Sequence, residues 1–86
     1  MKLELLVSED CRPCARAQAL WASVCADQGL ELAVIRTDSA HGRATLGRHR
    51  LEVLPVLLVD DRPVAIGVPS REEALALVSS GFPRLR

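Results

Sequence analysis

The chain lacks tyrosine, has a single tryptophan and a single phenylalanine, and carries no net charge. Its 86 residues include 11 basic and 11 acidic side chains. Because basic residues are not in excess, nothing in the composition favours nucleic acid or an anionic membrane as a partner. No apolar run approaches the length of a membrane-spanning helix. We therefore expect neither a nucleic-acid partner nor a membrane partner.

Cysteine is also scarce, and its number is odd. A chain with three cysteines is a poor candidate for a structural disulfide framework, because one thiol must stay unpaired. The first predicted strand begins at Lys2 or Leu3, which leaves no space for a secretion signal. Both observations predict a protein of the reducing cytoplasm.

Length and composition predict one globular domain over residues 1–86. The apolar fraction is 49% and the charged fraction is 26%, as in ordinary folded domains. A chain of 86 residues buries a modest core and has no room for a separate substrate domain.

Alternation and helical periodicity predict seven secondary-structure elements. The predicted strands cover residues 2–8, 31–37, 56–59 and 62–66. The first two predicted helices cover residues 13–28 and 39–49. The third predicted helix begins within residues 69–73 and ends at Gly81. The first strand, helix and strand form a βαβ unit, so these two strands should be parallel. Asp60 and Asp61 are the predicted turn between the last two strands, and Pro63 places the last strand at a sheet edge. Phe82 is expected to pack back on the end of the last helix.

Cys11 and Cys14 lie between the end of the first predicted strand and the start of the first helix. At a helix N-terminus, free backbone N–H groups and the helix dipole favour a thiolate, so this pair is suited to thiol–disulfide exchange. Cys11 is then the nucleophile, and Cys14, one turn further and more buried, is the resolving thiol. Two other interpretations stay open. The pair could be inert core cysteines, or part of a zinc site that draws on Cys25, His41 and His49, none of which has a recognised spacing.

Three features together resemble the thioredoxin fold in its minimal, glutaredoxin-like form: the element order β-α-β-α-β-β-α, the CxxC pair at the first strand–helix junction, and Val53-Leu54-Pro55 before the third strand. The resemblance covers essentially the whole chain. It implies an α/β fold with a mixed four-stranded sheet, in the order 2-1-3-4, and helices on both faces. It also implies that Leu54–Pro55 is a cis peptide bond against the cysteine pair, where the backbone of residue 54 contacts an extended substrate. We call Leu54 and Pro55 the substrate platform.

The resemblance further implies a thiol–disulfide oxidoreductase that reduces protein disulfides. Arg12 and Pro13, between the two cysteines, join the substrate platform as expected substrate contacts. No organic cofactor and no metal are expected, because the Cys11–Cys14 disulfide itself carries the electrons. The expected electron donor is a flavoprotein of the thioredoxin-reductase type or a low-molecular-weight thiol, and the expected state is a monomer.

Several positions depart from these families. Val53 stands where glutaredoxins have a threonine that binds glutathione, and Gly67–Ser70 replaces their Gly-Gly…Asp element. Glutathione is therefore expected to be a poor specific ligand. Asp10 replaces the usual aromatic residue before the first cysteine, and Leu5 occupies the place of the buried acid of thioredoxins. These two absences leave a second class of function open, a binding or carrier module that uses the dithiol for metal, persulfide or partner capture without turnover.

The remaining candidates have structural interpretations. Trp21 and Cys25 fall on the apolar stripe of the first helix and are expected in the core. His41 and His49 have no predicted carboxylate partner and are expected on the surface of the second helix. A predicted basic patch is either a solvated face or a surface that steers an acidic partner. Its members are Arg43, Arg48, His49 and Arg50.

Overall fold

The computed structural model describes residues 1–79, which form seven elements in the predicted order. The strands are β1 (Leu3–Val7), β2 (Leu32–Arg36), β3 (Val56–Val59) and β4 (Arg62–Ile66), and the helices are α1 (Arg12–Asp27), α2 (Ala40–His49) and α3 (Arg71–Ser79). The predicted end of the last helix at Gly81 and the predicted packing of Phe82 lie outside the described residues. In this part of the chain, no helix has the length and apolar character needed to cross a membrane.

The four strands form one mixed sheet in the order β2-β1-β3-β4, as predicted. β1 pairs with β2 in parallel and with β3 antiparallel, and β3 and β4 form an antiparallel hairpin. All five residues of β1 are buried, because helices cover both faces of this central strand. Pro63, which donates no ladder hydrogen bond, lies in the edge strand β4 as expected.

The sheet separates two apolar clusters. Leu5 belongs to the cluster on the side of α1 and α3, with Trp21 and Ala74. Leu6 belongs to the cluster on the side of α2, where it packs with Leu46. Because successive side chains of a strand point to opposite faces, β1 supplies both clusters. The prediction of helices on both faces of the sheet is confirmed.

α2 lies close against the end of β2. Ser39 caps this helix, since its Oγ accepts a hydrogen bond from the Gly42 N–H at 3.0 Å and donates one to the Arg36 carbonyl at 2.6 Å. A Cβ at Gly42 would lie 1.9 Å from the same Arg36 carbonyl oxygen. Only glycine permits so close an approach, which explains a residue of low helix propensity inside α2.

The Asp60-Asp61 turn is held by its own side chains. Both aspartates have a positive φ, 49° and 64°, as two-residue hairpin turns require. Asp60 Oδ1 accepts a hydrogen bond from the Lys2 N–H at 2.8 Å, and the Asp60 N–H donates to the Lys2 carbonyl at 2.8 Å. Asp61 accepts hydrogen bonds from Arg48 at 3.0 and 2.6 Å. These contacts stabilise a turn pair that is less favourable by itself than Asp-Gly.

Candidate functional site

Cys11 and Cys14 form a disulfide at the N-terminus of α1, with their Cα atoms 5.3 Å apart. Cys11 is the N-cap residue, in extended backbone, and its carbonyl accepts a hydrogen bond from the Cys14 N–H at 3.3 Å. The third cysteine, Cys25, is free and buried. The two cysteines paired in the structure are therefore the two that the spacing singles out.

The two bonded cysteines differ in exposure. Cys11 is half-buried, whereas Cys14 is only 4% exposed and belongs to the core cluster. The first turn of α1 contains no acidic residue, and it begins with the exposed Arg12 and the half-buried Pro13. Free N–H groups at a helix start stabilise negative charge, so the fold favours a thiolate at Cys11 after reduction. A thiol or disulfide from outside reaches Cys11 before Cys14.

The Leu54–Pro55 peptide bond is cis and directly precedes β3. Pro55 is fully buried, and its carbonyl accepts a hydrogen bond from the Gly67 N–H at 2.8 Å. Leu54 is half-buried and packs against the same apolar cluster as Cys11. Within the described residues, no hydrogen bond uses the backbone N–H or carbonyl of Leu54. The backbone of this residue is thus available to an outside partner.

A cavity of about 400 Å³ opens beside the disulfide. It lies between the end of β1, the start of α1 and the edge strand β2, and its lining includes Cys11, Cys14, Glu9, Gln18, Val34 and Arg36. The substrate platform does not line it, because the platform precedes β3 on the other side of β1. The sequence did not predict this cavity, because Arg36 of β2 is brought next to the cysteine pair only by the pairing of β2 with β1.

Two charged side chains, Glu9 and Arg36, line this cavity, and Asp38 pairs with Arg36. Arg36 donates from Nε and Nη2 to the two carboxylate oxygens of Asp38, at 3.1 and 2.8 Å, and its Nη2 lies 3.5 Å from Glu9 Oε2. The hydrogen bond with Arg36 lowers the pKa of Asp38, and the same bond raises the pKa of Arg36. Arg36 and Asp38 therefore form a charged pair at neutral pH, and Asp38 holds the guanidinium in place.

Both histidines of α2 have a carboxylate neighbour, and one of these carboxylates also pairs with the basic patch. His41 Nε2 lies 2.8 Å from Oε2 of Glu4, a carboxylate whose side chain is only 5% exposed. His49 Nε2 lies 3.4 Å from Asp61, which also forms the two hydrogen bonds with Arg48. Hydrogen bonding by Arg48 lowers the pKa of Asp61. The sequence pattern indicated neither carboxylate neighbour. His41 is exposed as expected, whereas His49 is half-buried, and Asp61 offsets part of the patch's positive charge.

The chain does contain a buried acid in β1, but one residue away from the position where thioredoxins have theirs. Leu5 belongs to the cluster that includes Cys14, whereas Glu4 lies on the side of α2, against His41. A shift of one residue along a strand moves a side chain to the opposite face of the sheet. Glu4 therefore serves the attachment of α2 and not the disulfide. The alternation of side chains along β1 predicts which face of the sheet Glu4 lies on, but it does not predict which residue Glu4 contacts there.

Cys25 packs in the core as predicted, 1% exposed beside Trp21. Burial raises the pKa of the Cys25 thiol, which disfavours the reactive thiolate at neutral pH. Among residues 1–79, no cluster of three or more histidine, cysteine or acidic side chains is placed to hold a metal ion.

Comparison with known proteins gives one family match. A profile of the family described as a thioredoxin domain matches residues 1–79. A search of curated proteins found no match.

Solved structures with a similar fold include both thioredoxins and glutaredoxins. Thioredoxin 1 from Thermosipho africanus superposes with a TM-score of 0.72 at 13% identity, over 95% of this chain and 94% of that one. The glutaredoxin-like protein NrdH-redoxin from Escherichia coli gives 0.58 at 17% identity, over 99% of this chain and 100% of that one. Glutaredoxin 1 from Francisella tularensis gives 0.54 at 13% identity, over 93% and 96% of the two chains. At such identities the likeness is one of fold, and it agrees with the predicted sheet order.

Proposed function

Because this chain belongs to the thioredoxin domain family, we propose that it is a thiol–disulfide oxidoreductase that reduces protein disulfides through Cys11 and Cys14. The observation that carries the proposal is the disulfide at the start of α1, with Cys11 partly open to solvent and Cys14 buried behind it. This asymmetry suits a reaction in which one sulfur attacks the substrate and the other acts only afterwards.

The reaction starts from the reduced dithiol. The Cys11 thiolate attacks one sulfur of a substrate disulfide, so that a Cys11–substrate disulfide forms and the other substrate sulfur leaves as a thiolate. The Cys14 thiolate then attacks Cys11 Sγ, which restores the Cys11–Cys14 bond and releases the second substrate thiolate. Two electrons pass from the dithiol to the substrate, and the protein ends in the oxidised form.

An extended segment of the substrate protein would bind on the substrate platform. The free backbone N–H and carbonyl of Leu54 suit the pairing of one added strand segment. Val53, which is 58% exposed, offers an apolar contact next to it. Arg12 and Pro13 flank the attacking sulfur and complete the proposed contacts.

No organic cofactor is part of this proposal, since the disulfide stores both electrons. The electron donor is a thioredoxin-reductase-type flavoprotein or a low-molecular-weight thiol, and we place the reaction in the cytoplasm, in a monomer. NrdH-redoxin, described as a glutaredoxin-like protein with a thioredoxin-like activity profile, is a structural precedent for combining this small fold with thioredoxin-like activity.

Reduction of the insulin disulfides, driven by dithiothreitol, tests the proposal. The wild-type protein should accelerate the reaction, and Cys11→Ser should abolish the acceleration. Cys25→Ser is the matched control and should keep the activity, because Cys25 lies in the core. A wild-type protein that forms covalent adducts but never turns over would favour the alternative function, a carrier module that captures a metal, a persulfide or a partner.

A further inference from the structure

The disulfide can be approached from two sides. On one side lies the substrate platform before β3, and on the other lies the cavity of about 400 Å³ beside β2. Cavities that bind small molecules in proteins have volumes of about 300–1,000 Å³. The cavity beside β2 is therefore large enough for a small reactant, and both Cys11 and Cys14 line it.

The Arg36 guanidinium and the Glu9 carboxylate at this cavity could each bind one more charged group. The bonds to Asp38 occupy Nε and Nη2 of Arg36, and within the described residues its Nη1 has no hydrogen-bond partner. Glu9 is 79% exposed, and its only described contact is the ion pair with Arg36 at 3.5 Å. A guanidinium binds a carboxylate, and a carboxylate binds an ammonium group. One cation and one anion thus line the same cavity as the two disulfide-bonded cysteines.

From this arrangement we infer that the cavity binds a free α-amino-acid thiol, of which cysteine is the smallest, as the reductant of the Cys11–Cys14 disulfide. Its carboxylate pairs with Arg36, its ammonium group pairs with Glu9, and its sulfur faces the disulfide. The inference rests on the proposed function, because it names the electron donor for the same dithiol.

Two molecules of thiol complete the reaction. The thiolate of the first attacks Cys11 Sγ, so that a mixed disulfide forms and Cys14 leaves as a thiolate, which takes up a proton. The thiolate of the second attacks the sulfur of the bound amino acid and releases Cys11 as a thiolate. The products are the reduced dithiol and one disulfide of the amino-acid thiol, and the two electrons come from the two thiols.

A set of four thiols tests the inference. Purified oxidised protein is mixed with cysteine, cysteamine, 3-mercaptopropionate or 2-mercaptoethanol, and loss of the Cys11–Cys14 bond is followed by alkylation and mass measurement. Cysteine carries both charges, cysteamine only the ammonium group, mercaptopropionate only the carboxylate, and mercaptoethanol neither. Each rate is divided by the mercaptoethanol rate of the same variant, so that general changes in the disulfide cancel.

Arg36→Gln should lower the relative rates of cysteine and mercaptopropionate about fivefold, the effect of losing one exposed ion pair. Glu9→Gln should lower those of cysteine and cysteamine by a similar factor. Arg62→Gln and Glu72→Gln make the same changes of net charge on β4 and on α3, at exposed positions away from the cavity. Both controls should leave all relative rates within about twofold.

The inference would be overturned if Arg36→Gln and Glu9→Gln changed the rates of all four thiols by the same factor. It would also be overturned if Arg62→Gln and Glu72→Gln changed the relative rates as much as the two cavity variants do. The insulin assay with dithiothreitol separates this failure from that of the proposed function. If wild-type protein reduces insulin but neither cavity variant changes the thiol preference, the inference falls and the oxidoreductase stands. If the wild-type protein does not reduce insulin, the proposed function itself falls.

Discussion

At the scale of single residues, the different burial of Cys11 and Cys14 supports the order of reaction that we propose for them. Both lie at the start of α1, yet Cys11 is half-buried whereas Cys14 is only 4% exposed. The helix start favours the thiolate at Cys11, while Cys25 has a pKa raised by burial. We therefore expect the three cysteines of this chain to differ in reactivity.

Alkylation of the reduced protein tests this ranking. Iodoacetamide at neutral pH should label Cys11 about tenfold faster than Cys14 or Cys25, because a lowered thiol pKa raises the reactive fraction by such a factor. Cys25 should become labelled only as the pH rises through its raised pKa, or after unfolding. Peptide mapping by mass spectrometry gives the three rates. Faster labelling of Cys14 would reverse the roles of nucleophile and resolving thiol.

At the scale of secondary-structure elements, α2 is attached to the sheet by one close approach of the main chain and by one hydrogen bond to a buried carboxylate. The close approach is Gly42 against the Arg36 carbonyl. The hydrogen bond joins Glu4 of β1 to His41 of α2, with Lys2 Nζ at 3.7 Å from the same carboxylate. The chain leaving α2 leads to the substrate platform, so its attachment also positions Leu54.

Two glycines of α2 provide a matched pair of substitutions. Gly42→Ala should lower the free energy of unfolding by about 1–3 kcal/mol, because the new methyl group meets main-chain atoms that cannot move away cheaply. Gly47→Ala should raise it by about 0.5–1 kcal/mol, since nothing lies within 4 Å of its Cβ position and alanine is the better helix former. Urea unfolding measures both. Equal effects of the two substitutions would contradict the close packing of α2 on β2.

The pair of Glu4 and His41 makes a second prediction about α2. His41→Ala should lower the free energy of unfolding by about 1–3 kcal/mol, because it leaves a buried carboxylate without its hydrogen-bond donor. In a Glu4→Gln background the same substitution should cost less, since no buried charge remains. Glu31→Gln, at an exposed position, is the control for loss of an acid. An equal cost of His41→Ala in both backgrounds would show that the two residues are not coupled.

The elements of this fold follow from local pattern, but several contacts do not. Alternation in β1 and the apolar stripe of α1 predict their buried faces, and the Cys11–Cys14 spacing predicts their disulfide. The partner of Glu4 is 37 residues away in α2, and Arg48 meets Asp61 across 13 residues. Such pairs depend on how elements dock, which a local pattern does not specify. The cavity at Arg36 was missed for the same reason.

At the scale of the whole molecule, the hydrogen bonds and charges at the start of α3 lead to a prediction about glutathione as a substrate of the proposed reaction. Ser70 Oγ accepts a hydrogen bond from the Glu73 N–H at 3.1 Å, and the Ser70 N–H donates to Glu73 Oε1 at 3.0 Å. This capping box occupies two groups at the helix start that an anion would otherwise use. Glu72 and Glu73 add negative charge in the first turn, and the hydrogen bonds from Ser70 lower the pKa of Glu73. We therefore expect the region that corresponds to the glutathione-binding element of glutaredoxins to be unfavourable here for an anionic peptide.

Glutathione should consequently be a poor substrate. Removal of glutathione from a protein mixed disulfide should proceed at least about tenfold slower than reduction of a protein disulfide by the same preparation, because the anion meets like charge instead of free N–H groups. Turnover of both substrates is compared at equal enzyme concentration. Comparable rates would contradict this account of α3 and would require a glutathione contact elsewhere, such as the backbone of Leu54.

The central claim, that Cys11 attacks a protein disulfide and Cys14 resolves the product, is tested most directly by trapping the intermediate. Cys14→Ser protein, reduced and then mixed with a disulfide-containing protein, should accumulate a mixed disulfide that wild-type protein does not retain. Peptide mass spectrometry should place the substrate on Cys11. A trapped substrate on Cys25, or no covalent complex with a protein that wild type reduces, would contradict the claim.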